Sequence, residues 1–273
     1  MRAPSASRGW CPGHTDPMTE RRGTAVLTGV GRARGIAAAI ATGLAEDGWD
    51  LALTHWTPYD RRLGIGGGQD DVTALAEQAR ALGATVTTIE ADLADVDAPR
   101  AVLAAASAAG DVRALVLSHS ESIDSGVLDT AVEAWDRHFA VNSRASWLLI
   151  KHFAELLPDT PTTDTTGRIV ALTSDHTAFN LPYGASKGAL DRLVQAAAVE
   201  LGPRGVRANL VNTGPIDTGW MNDEVRAACL AGTPAGRLGT PSDTADLVRF
   251  LLSDRGGWIS GQILHSNGAF HVG

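Results

Sequence analysis

From residue 24 onward, short apolar runs alternate with longer Ala-rich stretches whose apolar positions recur every three or four residues. The short runs Thr24–Thr28, Asp50–Thr54, Ala84–Glu90, Val112–Ser118, Arg168–Thr173, Val206–Val211 and Gln262–His265 predict strands. The longer stretches predict helices at about 35–47, 70–82, 97–109, 130–157, 182–201 and 241–253. The strands are apolar on both faces, which implies a parallel sheet of about seven strands covered by helices on each side, a doubly wound α/β fold. No composition break divides residues 23–273, so one domain is expected. Residues 1–22 carry Pro, Gly, Ser and Arg without such a pattern, and are expected to form a disordered extension, with Met18 a candidate start. Gly64–Gly68 reads as a surface loop.

Two helices carry polar residues on an apolar stripe. In 130–157 the stripe runs Trp135, Phe139, Asn142, Ser146, Leu149, Phe153; in 182–201 it runs Tyr183, Lys187, Leu190, Val194, Ala197, Leu201. Buried polar groups need partners. The structural alternative for Asn142 is an amide at a helix kink or interface. Tyr183 and Lys187 lie one turn apart, so a phenol and an ammonium share a face and the cation favours the phenolate.

Composition narrows the function. With 44% hydrophobic and 20% charged residues the chain reads as an ordinary globular protein, and a net charge of −8 without basic runs argues against nucleic acid. No apolar run approaches the roughly 18 residues of a membrane span. Cys11 and Cys229 form neither a disulfide framework nor a zinc motif, which suits a cytoplasmic setting.

After the first strand comes Thr28-Gly-Val-Gly-Arg-Ala-Arg-Gly-Ile-Ala37, leading into a helix. Glycines at such a turn let the backbone approach a pyrophosphate, and the helix N-terminus offers amide donors. Gly-x-Gly-x-x-Gly is not met, because Arg34 stands where the third glycine belongs and Gly35 follows it. The second strand ends Leu53-Thr-His-Trp, without an acid to hold a ribose 2′-hydroxyl, while Arg32 and Arg34 suit a 2′-phosphate. NADP(H) is therefore favoured over NAD(H).

Together these features resemble the short-chain dehydrogenase/reductase family over about Thr24–Phe270, nearest its 3-oxoacyl-[acyl-carrier-protein] reductase-like branch. The resemblance implies a Rossmann-type fold and a tetrad of Asn142, Ser174, Tyr183 and Lys187, in Phe139-Ala-Val-Asn and Ile169-Val-Ala-Leu-Thr-Ser. The residues expected to hold the cofactor are Gly29, Arg32, Arg34, Gly35, Ile36, His55, Asp92, Leu93, Ser118, His119, Tyr183, Lys187, Pro215, Ile216 and Thr218. Asp92-Leu93 matches the pair at the adenine end, Ile216 would bond the carboxamide and Thr218 a phosphate. Four departures stand out. The glycine turn is two residues longer than usual and ends in Ala37, and Leu117-Ser-His-Ser120 replaces Asn-Asn-Ala-Gly. Thr213-Gly214 replaces Pro-Gly, and Ser174 precedes Tyr183 by nine positions where about thirteen is common.

The implied activity is NADPH-dependent reduction of a ketone or 3-oxo compound by hydride transfer. Tyr183 would act as general acid/base, Lys187 would lower its pKa and bind the ribose, Ser174 would orient the carbonyl, and Asn142 would hold a relay water. The alternatives are an NADP(H)-binding regulator or scaffold with lost chemistry, and an NADP-linked alcohol or sugar dehydrogenase. His55, His119 and His176 all follow strand ends; ordinary loop histidines are expected rather than a metal site, with His119 and His176 as candidates to polarise a substrate. Ser118, His119 and Glu121 do not make a hydrolase triad, since adjacent residues point apart. A lid at about 217–238 with Trp220, Met221 and Leu230, joined by Phe179 and Leu181, suggests a medium-sized, partly apolar small-molecule substrate. Apolar residues such as Trp147, Leu148 and Ile150 on the outer side of the long helices, with the family's habit of pairing there, imply a homotetramer or homodimer.

Overall fold

The computed structural model describes residues 21–271, so nearly all of the expected extension, with Met18 and Cys11, lies outside the described residues. Seven strands form one parallel sheet: β1 (Thr24–Thr28), β2 (Asp50–His55), β3 (Val86–Glu90), β4 (Val112–Leu117), β5 (Gly167–Thr173), β6 (Val206–Asn212) and β7 (Ile263–His265). Their order is β3-β2-β1-β4-β5-β6-β7. Successive strand residues feed opposite layers, which is why the strands read as unbroken apolar runs: Ala25 and Leu27 pack on one side of β1, Val26 on the other.

On the first face lie α1 (Ile36–Glu46), α3 (Gln69–Ala81) and α9 (Pro241–Leu252), closing a core around Ile40, Leu44, Leu53, Leu75 and Val248. On the second lie α4 (Ala98–Ala109), α6 (Ala145–Leu156) and α7 (Leu181–Glu200), closing a core around Leu103, Leu115, Leu149, Phe153 and Leu190. The winding reverses between β1 and β4, and the crevice at the carboxyl ends of these two strands is where α/β sheets of this kind bind ligands.

The structure differs from the sequence pattern at four places. Residues 130–157 are not one helix: α5 (Val132–His138) and α6 are joined by a π-helical turn over Phe139–Arg144. Ile150 is buried, whereas Trp147 beside it is exposed. An unpredicted helix α2 (Thr57–Leu63) follows β2, started by Pro58 in its first turn and stopped by Gly64 in the left-handed region. Gly64–Gly68 is more than a surface loop, because the Gly68 amide donates to Gly31 O at 3.1 Å and docks the segment on the glycine turn.

The expected lid contains a further helix, α8 (Asp223–Ala231). Its base is pinned: Ile216 and Gly239 form an isolated parallel bridge, Asp217 N donates to Gly239 O at 2.9 Å, and Gly239 N donates to Pro215 O at 3.1 Å. Just past this bridge, α9 starts with a reciprocal cap between Thr240 and Asp243. Among the described residues no helix is long and apolar enough to cross a membrane.

Candidate active site

Tyr183 and Lys187 sit in the first turns of α7, which follows β5 after a short loop. Lys187 is 3% exposed, its Nζ donates to Leu172 O at 2.9 Å, and the ammonium stands 5.7 Å from the Tyr183 ring centroid. Burial pulls Lys187 down to about 8, with Asp191 opposing. Burial also raises the Tyr183 phenol, and the nearby Ser174 hydroxyl pulls the other way. The shortened loop therefore still delivers Ser174 to Tyr183. It also sets His176 edge-on to the tyrosine, with ring centroids 6.2 Å apart, and carries exposed Phe179 at φ 64, a conformation uncommon for a non-glycine residue.

The π turn places Asn142 inside the fold. Its Oδ1 accepts from Glu121 N at 2.7 Å; its Nδ2 donates to Glu121 O and to Ser186 Oγ, each at 2.9 Å. Both amide hydrogens are thus engaged, and the side chain ties the loop after β4 to α7. The structural alternative, a kink amide satisfied by backbone, describes this side chain well.

His119 is likewise occupied. Its ring is 7% exposed, with Nδ1 2.6 Å from Thr28 Oγ1 and Nε2 3.0 Å from Val141 O. Since a carbonyl only accepts, Nε2 carries the hydrogen and Nδ1 accepts from the threonine. The ring pins β4 to β1 and to the π turn and does not face a substrate. Burial, with Lys187 next, pushes its pKa down to about 3 from an ordinary 6.5. The unfolded chain therefore binds the extra proton between these values, so this contribution is complete above about pH 6.5 and is lost as pH falls toward about 3. At about pH 5 the loss is about 2 kcal/mol. Urea unfolding of the wild type and His119→Ala at pH 5 and pH 8 checks this: the pH difference in stability should shrink by about 2 kcal/mol in the variant. An unchanged difference would mean the ring is not held neutral.

At the nucleotide end, Gly29 has φ 78 and presses against the backbone of Ser118 and His119. Gly35 caps α1 in extended conformation, leading into Ile36. Arg34 is exposed, and its guanidinium lies beside Gly219 at the lid base, next to Thr218. Arg32 turns the other way, with Nε 3.5 Å from Asp60 Oδ1 and a buried Nη1 that has no partner. Thr54 Oγ1 and His55 Nδ1, at the end of β2, are buried without partners too. Burial lowers the His55 pKa, with Glu90 opposing. Past β3, burial works to raise the Asp92 carboxyl, but Arg137 at 2.9 Å and the Ala94 amide hold it below its usual range. Leu93 beside it is buried.

Pattern reading missed Asp60, Asp71, Arg62 and Ser186, and named Glu121 only to discard it from a triad. No acid ends β2, but Asp60 in α2 folds back against Gly31 and Arg32, and Asp71 accepts the Ala33 amide at 2.9 Å. Among the described residues no cluster of His, Cys, Asp or Glu fits a metal ion. Three orphaned polar atoms lie beside a glycine turn that opens onto a helix N-terminus, and the residues present fit a dinucleotide cofactor.

Known proteins share this architecture. The family model described as Enoyl-(Acyl carrier protein) reductase matches residues 29–271. The uncharacterized oxidoreductase YjdA of Bacillus subtilis (strain 168) is 32% identical over 251 residues, covering 90% of this chain and 96% of that protein. An NADPH-dependent aldehyde reductase-like chloroplastic protein of Arabidopsis thaliana is 31% identical, covering 90% and 93%. Among solved structures, a dehydrogenase/reductase from Sinorhizobium meliloti 1021 superposes with a TM-score of 0.81 at 28% identity, covering 94% of this chain and 98% of that one. A blue fluorescent protein from a metagenomic library, in complex with NADPH, superposes with a TM-score of 0.80 at 28% identity, covering 92% and 99%. The sheet order, the Ser174–Tyr183–Lys187 cluster and these matches agree: the chain belongs to the short-chain dehydrogenase/reductase family and is an NAD(P)-dependent oxidoreductase acting between alcohol and carbonyl.

Proposed function

We propose that this protein reduces an aldehyde, ketone or 3-oxo compound to the alcohol with NADPH. The observation that carries this reading is the convergence of the Ser174 hydroxyl, the Tyr183 phenol and the buried Lys187 ammonium at the carboxyl end of β5. The bound nicotinamide supplies the hydride. Burial keeps the Tyr183 phenol protonated, the state a general acid needs before it donates to the carbonyl oxygen as charge develops there. Ser174 donates to the same oxygen and fixes its position. Lys187 then faces the phenolate left behind, and in a buried setting that attraction is little screened. Asn142 holds the loop after β4 and Ser186 of α7 at a fixed separation, and so keeps the crevice wall in register with Tyr183.

The preference for NADP(H) rests on the buried Arg32 Nη1, a cationic donor with no partner beside the glycine turn. Asp60 next to it offsets part of that charge. Two similar proteins, one described as NADPH-dependent and one solved in complex with NADPH, support the same preference. The lid adds Trp220 and Leu230, both partly exposed, which with Phe179 favours a partly apolar substrate. The groove lined by Phe139, Ala140, Trp147 and Leu193 on the outer side of α6 and α7 supports self-association as a homodimer or homotetramer.

Parallel fluorescence titrations with NADPH and NADH, followed by a panel of aldehydes and ketones, test the proposal. At least about tenfold tighter NADPH binding is expected, the scale of one charge-assisted contact. Equal affinity would remove the Arg32 argument, and binding of neither would remove the activity.

A further inference from the structure

A chain that leaves β2 and touches the loop after β4 must pass over the carboxyl end of β1, because β1 lies between them. The segment 57–71 does so. Tyr59 Oη donates to Ser122 O at 3.5 Å, and Arg62 pairs with Glu121, both beyond β4. On the β1 side, Asp60 faces Arg32 and Gly31, Gly68 N bonds Gly31 O, and Asp71 takes the Ala33 amide. Gly67, at φ 92, lies so close that a Cβ there would stand 2.5 Å from Gly31 O. The segment thus spans the glycine turn from both sides, tied to the Ala33 amide through Asp71 and to Arg32 through Asp60.

We propose that residues 57–71 form a gate over the dinucleotide crevice, latched by Arg62 on Glu121, which must lift for a nucleotide to enter or leave. The proposal rests on the dinucleotide reading of this crevice. The two halves of the latch differ in freedom. Glu121 is 1% exposed, and its second oxygen is held by Arg137 at 3.2 Å, which is held in turn by Asp92 at 2.9 Å. The Arg62 side chain is 46% exposed on a short helix and stacks against Tyr59, 5.4 Å from its ring, so it is the half that moves. The hinge is next to it: Gly64, Gly66, Gly67 and Gly68 all have positive φ.

A gate has a kinetic signature that a direct ligand contact lacks. Opening precedes both entry and exit, so weakening the latch speeds both and leaves the equilibrium nearly unchanged. Stopped-flow binding of NADPH to Arg62→Ala should show association and dissociation both faster by about 3- to 5-fold, the scale of one half-exposed ion pair, with Kd within about twofold of the wild type. Arg62→Lys, which keeps the charge, should fall between. Amide hydrogen exchange of residues 57–71 in the nucleotide-free protein should quicken in Arg62→Ala and not elsewhere in the sheet. Faster dissociation with unchanged association would make Arg62 a nucleotide contact and overturn the gate, as would rates equal to the wild type. If the wild type binds neither NADPH nor NADH, the dinucleotide reading fails. Exchange then decides the latch alone, and unchanged exchange removes it.

Discussion

Replacing Tyr183 with phenylalanine is expected to lower turnover of a carbonyl substrate by about 10²–10⁴-fold, the span of a positioned general acid, with nucleotide affinity within about twofold. The substitution removes one oxygen and little else. The ring keeps its edge contact with His176, its place over Lys187 and its position in α7, so folding should be preserved. What disappears is the proton that burial holds on the phenol. The check is turnover at saturating NADPH beside a thermal melt and a nucleotide titration on the same sample. Turnover near the wild-type level would mean the acid is another group, and His176 would be the next candidate, being the imidazole nearest that ring.

Gly29→Ala should destabilise the fold by about 2–5 kcal/mol, combining roughly 1–2 for a left-handed non-glycine residue with about 1–3 for overpacking. At φ 78 an added Cβ would stand 2.7 Å from His119 N and Ser118 O and 2.8 Å from His119 Cα. These are backbone atoms at the end of β4, pinned by the Thr28–His119–Val141 bonds, so they cannot swing aside as a flexible side chain would. Relief would have to come from parting β1 and β4, which also opens the crevice. Urea unfolding with linear extrapolation measures the loss. A change below about 0.5 kcal/mol would show that this strand junction yields freely.

The sheet and both faces of helices were legible because burial on two sides leaves a continuous apolar signature in each strand. Tyr183 and Lys187 were legible because polar residues interrupt an otherwise apolar stripe. The π turn was not. The spacing from Trp135 through Phe139, Asn142 and Ser146 to Leu149 suits a regular helix, and one inserted residue leaves no trace in such a pattern. The acid beside Arg32 was missed because pattern reading looked for it at the end of β2, whereas Asp60 arrives five residues later through the backfold of α2. The role of His119 was hidden for a related reason. Its partners Thr28 and Val141 are 91 and 22 positions away, and nothing local distinguishes a pinned ring from a catalytic one.

The bridge between Ile216 and Gly239 has an evolutionary consequence. A loop whose ends already meet can gain or lose residues at a small closure cost, about 0.6 kcal/mol for each doubling of length, and here its ends stay fixed relative to α9 and β6. Residues 217–238 can therefore be rewritten as a cassette while Tyr183 and Lys187 on α7 keep their places. Diversification of substrate range in such a scaffold needs no compensating change in the core.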